Sequence, residues 1–396
     1  MTQILYPDHT AAIYHVPELI DDFAAANGMT AALYRLADLK SYLKNNDKSS
    51  EIQDLFLRPT SLLMVPTTVN VNFGLLQVSK AMNVATPSTG TDHVDFDDLK
   101  KHQVAFFSAP GENAVSVVEY VLSAIPVLVD MAASKDAPIS KDDLICDGSS
   151  SNRRLSLGII GYGRIGSRLG AVGQRLGWQV RAYDPPLFHS TGHDLDSVLD
   201  SDIISLHVPL VTIGQHPTHG MINQSLLHRS RRSSIWLNAS RGQVVAADDF
   251  AELCATHIAA IDVFPAEPPQ HQFLDAATLV TPHIAGYSWR ARFRGVYRVL
   301  EDFAATKGLR MPKSMDDYAP FGYDLSSIDF IEAESKALRQ NPDSFSKRRN
   351  QYPTRSGFRD EIESKKWQDR FHTSENKQRL LYFQRIFEIW NQLHFY

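Results

Sequence analysis

The hydrophobic pattern is most regular between residues 155 and 184. Leu155 to Ile160 is a short, mostly apolar run that ends directly before Gly161, and this predicts a buried strand. From Ile165 to Leu176 apolar residues recur at helical intervals, and the run from Trp178 to Tyr183 predicts a second strand. This stretch therefore predicts a strand, a helix and another strand in succession.

The same alternation of strands and helices occurs on both sides of this unit. Since alternating strands and helices produce parallel sheets, we expect a doubly wound sheet whose ligand lies at the strand ends, and a smaller α/β layer before it. The further predicted strands are Ser61 to Val65, a segment within Gln77 to Thr86, Val104 to Phe107, Asp202 to His207, Ile235 to Asn238, Ala259 to Val263 and Thr278 to Val280.

Other segments differ in polarity. The longest apolar stretch, residues 114–133, is interrupted by Glu119, Pro126 and Asp130, so a buried helix is expected rather than a membrane span. Residues 44–51 are polar and predict an exposed loop, and residues 134–154 predict a solvated connection. The tail, residues 313–396, is charged but rich in aromatic residues, which favours a folded segment over disorder.

Composition narrows the functional classes. The net charge is −5 over 396 residues, so nothing indicates binding to nucleic acid or to an anionic membrane, and the length suggests two or three domains. Cys146 and Cys254 are the two cysteines, too few for a disulfide framework or a zinc site, and no metal site is predicted. The N-terminus lacks the pattern of a signal peptide, so a cytoplasmic protein is expected.

Three glycines follow the first strand with G-x-G-x-x-G spacing. Gly161 would permit a sharp turn, Gly163 would leave room for a pyrophosphate, and Gly166 would allow the helix to pack closely on the sheet. Asp184 ends the second strand, where a carboxylate would bind the adenosine ribose and repel the extra phosphate of NADP. Such glycines also occur in other tight turns, but the ordered set predicts an NAD site.

Candidate chemistry lies in three segments at predicted strand ends: residues 237–245, 261–268 and 281–288. They supply Arg241, Glu267 and His283, the set that oxidation of a 2-hydroxy acid requires. A guanidinium binds the carboxylate, an imidazole accepts the hydroxyl proton, and a carboxylate behind the imidazole orients it. Taken singly, each residue could be a surface charge or a loop cap. Asp262 would either bind the nicotinamide carboxamide or order the loop.

These segments, together with STGTDHVDF (88–96) and APGENAVSVVEY (109–120), resemble the D-isomer-specific 2-hydroxyacid dehydrogenases over roughly residues 60–300. The resemblance implies an α/β fold in which a Rossmann-type doubly wound parallel sheet, the NAD domain, is inserted in a flavodoxin-like catalytic domain. It places the catalytic domain at residues 1–112 and 287–308, and the NAD domain at residues 113–286.

Further features resemble the erythronate-4-phosphate dehydrogenase branch of this family. They are YDPP (183–186), HIAGYSWRARFRG (283–295) and a tail pattern formed by Phe345, Arg349, Tyr352, Pro353, Arg355 and Phe358. The branch implies a small C-terminal α+β dimerisation domain at residues 309–396. It also implies NAD-dependent oxidation of 4-phospho-D-erythronate at C2, in pyridoxine 5'-phosphate biosynthesis.

The resemblance also assigns contacts. Substrate would be bound by Thr67, Ser88 and Tyr287. NAD would be contacted by Gly161, Gly163, Arg164, Ile165, Gly166, Asp184, Val208, Ala239, Ser240, Arg241, Asp262 and Gly286.

Two departures leave the substrate open. Pro66 stands where the branch usually carries a basic residue, and Val208 replaces a common threonine. A phosphate would then need other donors, for which Arg294, Arg349 and Arg355 are candidates, the last two in a homodimer formed through residues 310–396. The alternatives are a dehydrogenase or reductase for an unphosphorylated acid of the glycerate or hydroxypyruvate type, and a non-catalytic NAD-sensing scaffold. The intact catalytic set disfavours the scaffold.

Overall fold

The chain divides into two compact units, each built from separate stretches of sequence. The computed structural model describes residues 2–13, 15–45, 51–132, 139–144, 153–187, 192–318, 326, 330–350, 352, 355–364 and 377–395. The first unit comprises Met1–Asn113 and Ser288–Tyr323, and the second comprises Ala114–Tyr287 and Asp324–Tyr396. The breaks near residues 113 and 287 adjoin the predicted domain limits, whereas the role of each unit stays a prediction.

The first unit contains a five-stranded parallel sheet with the order β2-β1-β3-β4-β5. Its strands are β1 (Gln3–Pro7), β2 (Thr30–Tyr34), β3 (Thr60–Met64), β4 (Asn83–Thr86) and β5 (Ala105–Ser108). The hydrophobic pattern predicts the last three but neither β1 nor β2. β2 lies at the edge of the sheet and four of its five residues are at least partly exposed, so its apolar signal is weak.

Seven helices cover this sheet within the part of the chain that the structure describes. They are α1 (Asp8–Ala11), α2 (Val16–Ala26), α3 (Leu36–Asn45), α4 (Glu51–Phe56), α5 (Phe73–Ser79), α6 (Phe96–Lys101) and α13 (Trp289–Lys307). The helix α13 begins at the N-cap Ser288, whose hydroxyl accepts a hydrogen bond from the amide of Ala291 at 3.3 Å. The polar loop predicted at residues 44–51 lies largely outside the described residues.

The second unit contains a six-stranded parallel sheet with the order β11-β10-β9-β8-β6-β7. All six strands fall within a residue or two of the predicted ones. The strands are β6 (Ser156–Ile160), β7 (Gln179–Tyr183), β8 (Ile203–Leu206), β9 (Ile235–Asn238), β10 (Ile258–Ile261) and β11 (Leu279–Val280). Because β6 lies between β7 and β8, the strand order reverses at β6, and ligands of such sheets bind at that point.

The helix α7 (Ala114–Ala132) forms the centre of the second unit's core. Its window Ala114–Met131 is long and apolar enough to cross a membrane by length and composition, but 83% of it is buried inside the protein. The prediction of a buried helix is confirmed. The other helices before the tail are α8 (Arg164–Arg175), α9 (Leu195–Leu199), α10 (Gln224–Arg229), α11 (Phe250–Thr256) and α12 (His271–Ala276).

Residues 139–144 differ from the predicted solvated connection. Ile139 and Leu144 are buried in the core beside α7, and the indole of Trp178 donates to the carbonyl oxygen of Leu144 at 3.2 Å. The prediction was wrong for these residues because two apolar side chains in a polar stretch suffice to anchor it. Residues 134–138 and 145–152 of the connection lie outside the described residues.

The described tail residues from 326 onward pack on the second unit. The regular elements of these residues are the helices α14 (Phe330–Gln340), α15 (Phe345–Asn350), α16 (Phe358–Ser364) and α17 (Lys377–Leu393). The resemblance implied strands as well as helices in this segment. The side chains of Phe358, Tyr382, Phe383 and Trp390 join the core cluster that contains α7. Residues 324–396 therefore group with the sheet β6–β11 rather than forming a third compact unit.

Candidate active site

The glycine loop lies between β6 and α8, where the strand order reverses. Gly161 has φ +94°, and a Cβ there would lie 2.6 Å from the carbonyl carbon of His207. A Cβ on Gly166 would lie 2.1 Å from the carbonyl oxygen of Gly161, whereas one on Gly163 would meet nothing within 4 Å. Packing therefore excludes side chains at the first and third glycines, while the middle glycine borders open space of the kind a pyrophosphate needs.

The other predicted dinucleotide residues surround this loop. Asp184 directly follows β7, and its Oδ2 accepts a hydrogen bond from the amide of Tyr162 at 2.7 Å, inside the glycine loop. Arg164 and Ile165 form the first turn of α8, and Val208 follows β8. The structure brings these side chains to one end of the sheet, where the residues present fit a dinucleotide.

Glu267 and His283 form a hydrogen-bonded pair. The Nδ1 of His283 lies 2.8 Å from Oε2 and 3.0 Å from Oε1 of Glu267. Because Nδ1 is engaged by the carboxylate, Nε2 is the nitrogen that remains to accept a proton from a substrate. Burial raises the pKa of Glu267, but His283 and Arg349 together outweigh this, so its pKa lies below the ordinary value and the carboxylate is ionised.

Asp262 orders the segment that carries His283. Its Oδ1 accepts from the hydroxyl of Thr281 at 2.6 Å and from the amide of Ile284 at 2.8 Å, and its Oδ2 accepts from the amide of Ala285 at 2.9 Å. The carboxylate is buried, and burial raises its pKa. Of the two roles predicted for Asp262, these contacts fit the ordering of the loop better than a contact with nicotinamide.

Arg241 follows β9 in a loop that packs on the Glu267 segment. A Cβ on Gly242 would lie 1.8 Å from the carbonyl oxygen of Phe264, so the two loops touch through their backbones. The guanidinium of Arg241 donates to the carbonyl oxygen of Ser240 at 2.8 Å, and the amide and hydroxyl of Ser240 both donate to Oδ1 of Asn238. Ala239, which lies between Asn238 and Ser240 in the sequence, packs against the hydrophobic core.

Comparison with known proteins identifies the family. The model of the D-isomer specific 2-hydroxyacid dehydrogenase NAD binding domain matches residues 145–285. Erythronate-4-phosphate dehydrogenase of Acinetobacter baylyi is 33% identical over 265 residues, which cover 65% of this chain and 70% of the relative. The protein of the same name from Pseudomonas entomophila is 36% identical over 288 residues, 71% of this chain and 70% of the relative.

The chain belongs to the D-isomer specific 2-hydroxyacid dehydrogenase family. It is an NAD-dependent hydroxyacid dehydrogenase.

Solved structures agree with this family. The D-lactate dehydrogenase of Aquifex aeolicus, complexed with NAD and lactic acid, is 25% identical with a TM-score of 0.57, covering 77% of this chain and 96% of that one. An NAD-dependent formate dehydrogenase of Staphylococcus aureus, at 18% identity and a TM-score of 0.58, covers 81% and 99% respectively and shares the fold. The predicted α/β fold class with a Rossmann-type NAD domain and the predicted cofactor are confirmed.

Arg349 brings this dehydrogenase's tail to the Glu267–His283 pair, a contact that the sequence did not reveal. Its Nη1 lies 2.6 Å from Oε2 of Glu267, and its guanidinium also hydrogen-bonds the side chain of Tyr287. The prediction gave Arg349 to a substrate phosphate or a dimer interface, whereas the structure gives it these two partners. The only sequence signal was its place in the tail pattern.

Arg355 is likewise not a phosphate ligand. Its side chain is fully buried, and Nη2 donates to the hydroxyl of Ser116 at 2.6 Å and to the carbonyl oxygen of Ala285 at 3.2 Å. Nη1 lies 3.8 Å from Oε2 of Glu119, and the guanidinium stacks 4.5 Å above the ring of Phe330. The prediction for Arg355 was wrong because its charge is compensated inside the core.

The predicted substrate residues are divided between the units. Thr67 and Ser88 follow β3 and β4 in the first unit, and the hydroxyl of Ser88 donates to the carbonyl oxygen of Gly90 at 3.3 Å. Tyr287 lies in the second unit, one residue after Gly286 in the turn that follows His283. Pro353 of the tail pattern lies outside the described residues.

Arg294 in α13 is a remaining phosphate candidate. Its Nε donates to Oε2 of Glu112 at 2.7 Å, within the first unit. That contact uses Nε, and a guanidinium carries five N–H donors. Arg294 can therefore pair with Glu112 and still offer N–H groups to a phosphate.

Proposed function

We propose that this dehydrogenase oxidises the C2 hydroxyl of 4-phospho-D-erythronate to the ketone of 3-hydroxy-2-oxo-4-phosphooxybutanoate, in pyridoxine 5'-phosphate biosynthesis. The observation that carries the proposal is the Glu267–His283 pair, in a chain 33–37% identical to erythronate-4-phosphate dehydrogenases. NAD, when bound, accepts the hydride from C2. Thr67, Ser88 and Tyr287 are proposed as substrate contacts.

The proposed chemistry divides between three side chains. Arg241 binds the substrate carboxylate, which orients C2. Nε2 of His283 takes the hydroxyl proton as C2 loses its hydride, and the alcohol becomes a ketone. Glu267 holds the imidazole through Nδ1 and stabilises the imidazolium that forms. A protein that only binds NAD needs no such proton acceptor, which disfavours a sensing scaffold.

The substrate phosphate needs positively charged donors. A buried phosphate dianion without donors costs several kcal/mol, and Pro66 provides no charge. Arg294 is the donor that we propose. The competing candidate, an unphosphorylated acid of the glycerate or hydroxypyruvate type, is favoured by Pro66 alone.

The test is NAD reduction by the purified protein with matched acids: 4-phosphoerythronate, erythronate and glycerate. We expect kcat/KM to be highest for 4-phosphoerythronate. Arg294→Ala should raise KM for the phosphorylated acid and leave that for erythronate unchanged. Equal kcat/KM for erythronate and its phosphate in the wild type would refute the phosphorylated substrate while leaving hydroxyacid oxidation intact.

The cofactor preference and assembly are further parts of the proposal. Asp184 followed by Pro185 and Pro186 offers no positive charge to a 2'-phosphate, so NAD is proposed to be preferred over NADP. Comparable kcat/KM with both cofactors would contradict this. We also propose a cytoplasmic homodimer with no nucleic-acid or membrane partner, supported by the branch resemblance and the net charge of −5. Sedimentation equilibrium of the full chain tests the dimer.

A further inference from the structure

The short helix α15 fixes the loop that carries Glu267 at two points. Phe345 is buried and packs edge-on against Phe264 with ring centroids 5.9 Å apart, and the amide of Phe264 donates to Oε1 of Glu267 at 3.3 Å. Four residues further along the same helix, Arg349 contacts Oε2 of Glu267. Because residues four apart lie on one helix face, α15 presents both side chains to this loop.

A ring nitrogen and a guanidinium converge on one oxygen. Oε2 of Glu267 lies 2.8 Å from Nδ1 of His283 and 2.6 Å from Nη1 of Arg349. The Arg349 side chain is 13% exposed and that of Glu267 is 18% exposed, so water screens the three groups poorly. Arg349 therefore both fixes the carboxylate and opposes a positive charge on the imidazole.

Arg349 also joins the carboxylate to the loop after His283. Its guanidinium hydrogen-bonds the side chain of Tyr287, and Tyr352 packs edge-on against the Tyr287 ring at 6.2 Å between centroids. One guanidinium thus spans the segment that bears Glu267 and the segment that bears His283. A guanidinium suits this position because its planar fork of donors serves two partners at once.

We propose that Arg349 is a positioning residue of the hydroxyacid oxidation: it holds the Glu267 carboxylate against His283 and sets how readily that imidazole takes the substrate proton. The inference deepens the proposed function, since it concerns the proposed proton acceptor, but it does not depend on which hydroxy acid is the substrate. It makes the tail part of the reaction machinery of its own chain.

Among the described residues, the charged groups around His283 are Glu267, Arg349 and the buried Asp262, and Tyr287 adds a titratable hydroxyl. Of these, Glu267 and Asp262 favour an imidazolium at His283, whereas Arg349 disfavours it. Neutralising Arg349 should therefore make His283 hold its proton to higher pH, and neutralising Glu267 should do the opposite. The opposite signs separate a positioning role from general damage to the site.

The experiment follows the His283 titration by NMR in protein labelled with ¹³C at histidine Cε1, so no turnover is required. The chain has 15 histidines, and the resonance absent from His283→Asn identifies the one of interest. Arg349→Gln should raise the titration midpoint by roughly 0.5–1 pH unit, and Glu267→Gln should lower it. Arg348→Gln is the matched control, because Arg348 lies in the same helix but pairs with Glu334 at 2.9 Å.

A midpoint in Arg349→Gln within about 0.2 pH unit of wild type, or below it, would overturn the proposal. If Arg349→Gln does not fold, Arg349→Lys replaces it. That variant keeps the charge but lacks the planar fork that fixes both partners in one geometry, so the midpoint should stay near wild type while kcat falls roughly tenfold. Wild-type kcat in Arg349→Lys would equally overturn the proposal. If the substrate panel fails instead, the titration still decides the role of Arg349.

Discussion

The backbone of His283 has φ 59°, a left-handed conformation that a histidine rarely adopts. The carboxylate of Asp262 holds it by accepting hydrogen bonds from the next two amides, Ile284 and Ala285, and from Thr281. The histidine is therefore aimed by its backbone as well as by Glu267. Strain of this kind persists at a functional site only where the surroundings determine the geometry.

Asp262→Asn should lower the free energy of unfolding by about 1–3 kcal/mol, because an amide cannot accept on both sides and one buried N–H loses its partner. Urea denaturation measures this. The matched control is Asp200→Asn, since the Asp200 side chain is 73% exposed and should change stability little. Equal stability of the two variants would show that Asp262 does not hold the loop.

His283→Ala should lower kcat by roughly 10²–10⁴-fold, the usual contribution of general acid–base catalysis. NADH affinity, measured by fluorescence titration, should stay near wild type because His283 is not among the residues proposed to contact the dinucleotide. A variant that keeps more than half of the wild-type kcat would remove His283 from the mechanism.

Glu267→Gln should be milder in kcat and should shift the acid limb of the kcat/KM profile to lower pH. The sign follows from charge: without the carboxylate the imidazolium is less stable, so the imidazole becomes available as a base at lower pH. The pH dependence of NAD reduction measures the shift. An unmoved limb would argue against the pairing at 2.8 Å.

At the level of elements, two glycines of the glycine loop are expected to have different roles: Gly166 serves the packing of α8, and Gly163 serves the binding of NAD. Gly166→Ala places a Cβ 2.1 Å from the carbonyl oxygen of Gly161, so α8 must move and the free energy of unfolding should fall. Gly163→Ala meets no atom within 4 Å and should fold like wild type while binding NADH more weakly. Thermal unfolding and NADH titration on both variants check this, and unchanged NADH affinity in Gly163→Ala would contradict it.

The sequence was most informative where one element carries its own signal. In the second unit, β6 and β8 to β11 are buried along their whole length, so each is a largely apolar run that can be recognised alone. The edge strand β7 is mostly at least partly exposed, and its place after the glycine loop and the helix α8 is what predicts it. The edge strand β2 lacks that signal because most of its residues are partly exposed. Arg241, Glu267 and His283 could be predicted because each follows a strand, and parallel strands end at the same edge of a sheet.

Contacts distant in sequence could not be predicted. Arg349 meets Glu267 across 82 residues, and Arg355 meets Ser116 across 239 residues. Neither arginine has a local pattern that distinguishes a solvated charge from a compensated one. Three-dimensional packing alone assigns Arg355 to the core and Arg349 to the Glu267–His283 pair.

At the scale of the whole molecule, residues 324–396 complete the second unit, which contains the segment matched by the NAD binding domain model. Phe358 is buried and contacts three aromatic rings of α17, with centroids 6.3, 5.3 and 5.0 Å away at Phe383, Phe387 and Trp390. A chain ending near residue 308 would expose this core. Truncation is therefore a poor test of dimerisation, which point variants and the full chain address better.

Phe358→Ala should destabilise the protein by about 3–5 kcal/mol, since a large side chain is removed from a closed core. Leu381→Ala is its control in the tail, because Leu381 is 44% exposed and should change stability by less than about 0.5 kcal/mol. Urea unfolding monitored by NADH binding as well as by circular dichroism compares the two. If Phe358→Ala lost helical signal at a urea concentration at which it still bound NADH, the tail would unfold independently of the NADH site, contrary to this prediction.

The position of α17 also has a consequence for the making of the protein. The hydroxyl of Tyr382 donates to the carbonyl oxygen of Leu122 at 3.1 Å, so a helix from the end of the chain covers one from its first third. Until the ribosome has released α17, the part of α7 that α17 covers stays exposed, although α8 and the sheet already cover the rest of that helix. Nascent chains halted before residue 377 should therefore be held by chaperones that bind exposed apolar helices, and release should follow synthesis of the last helix.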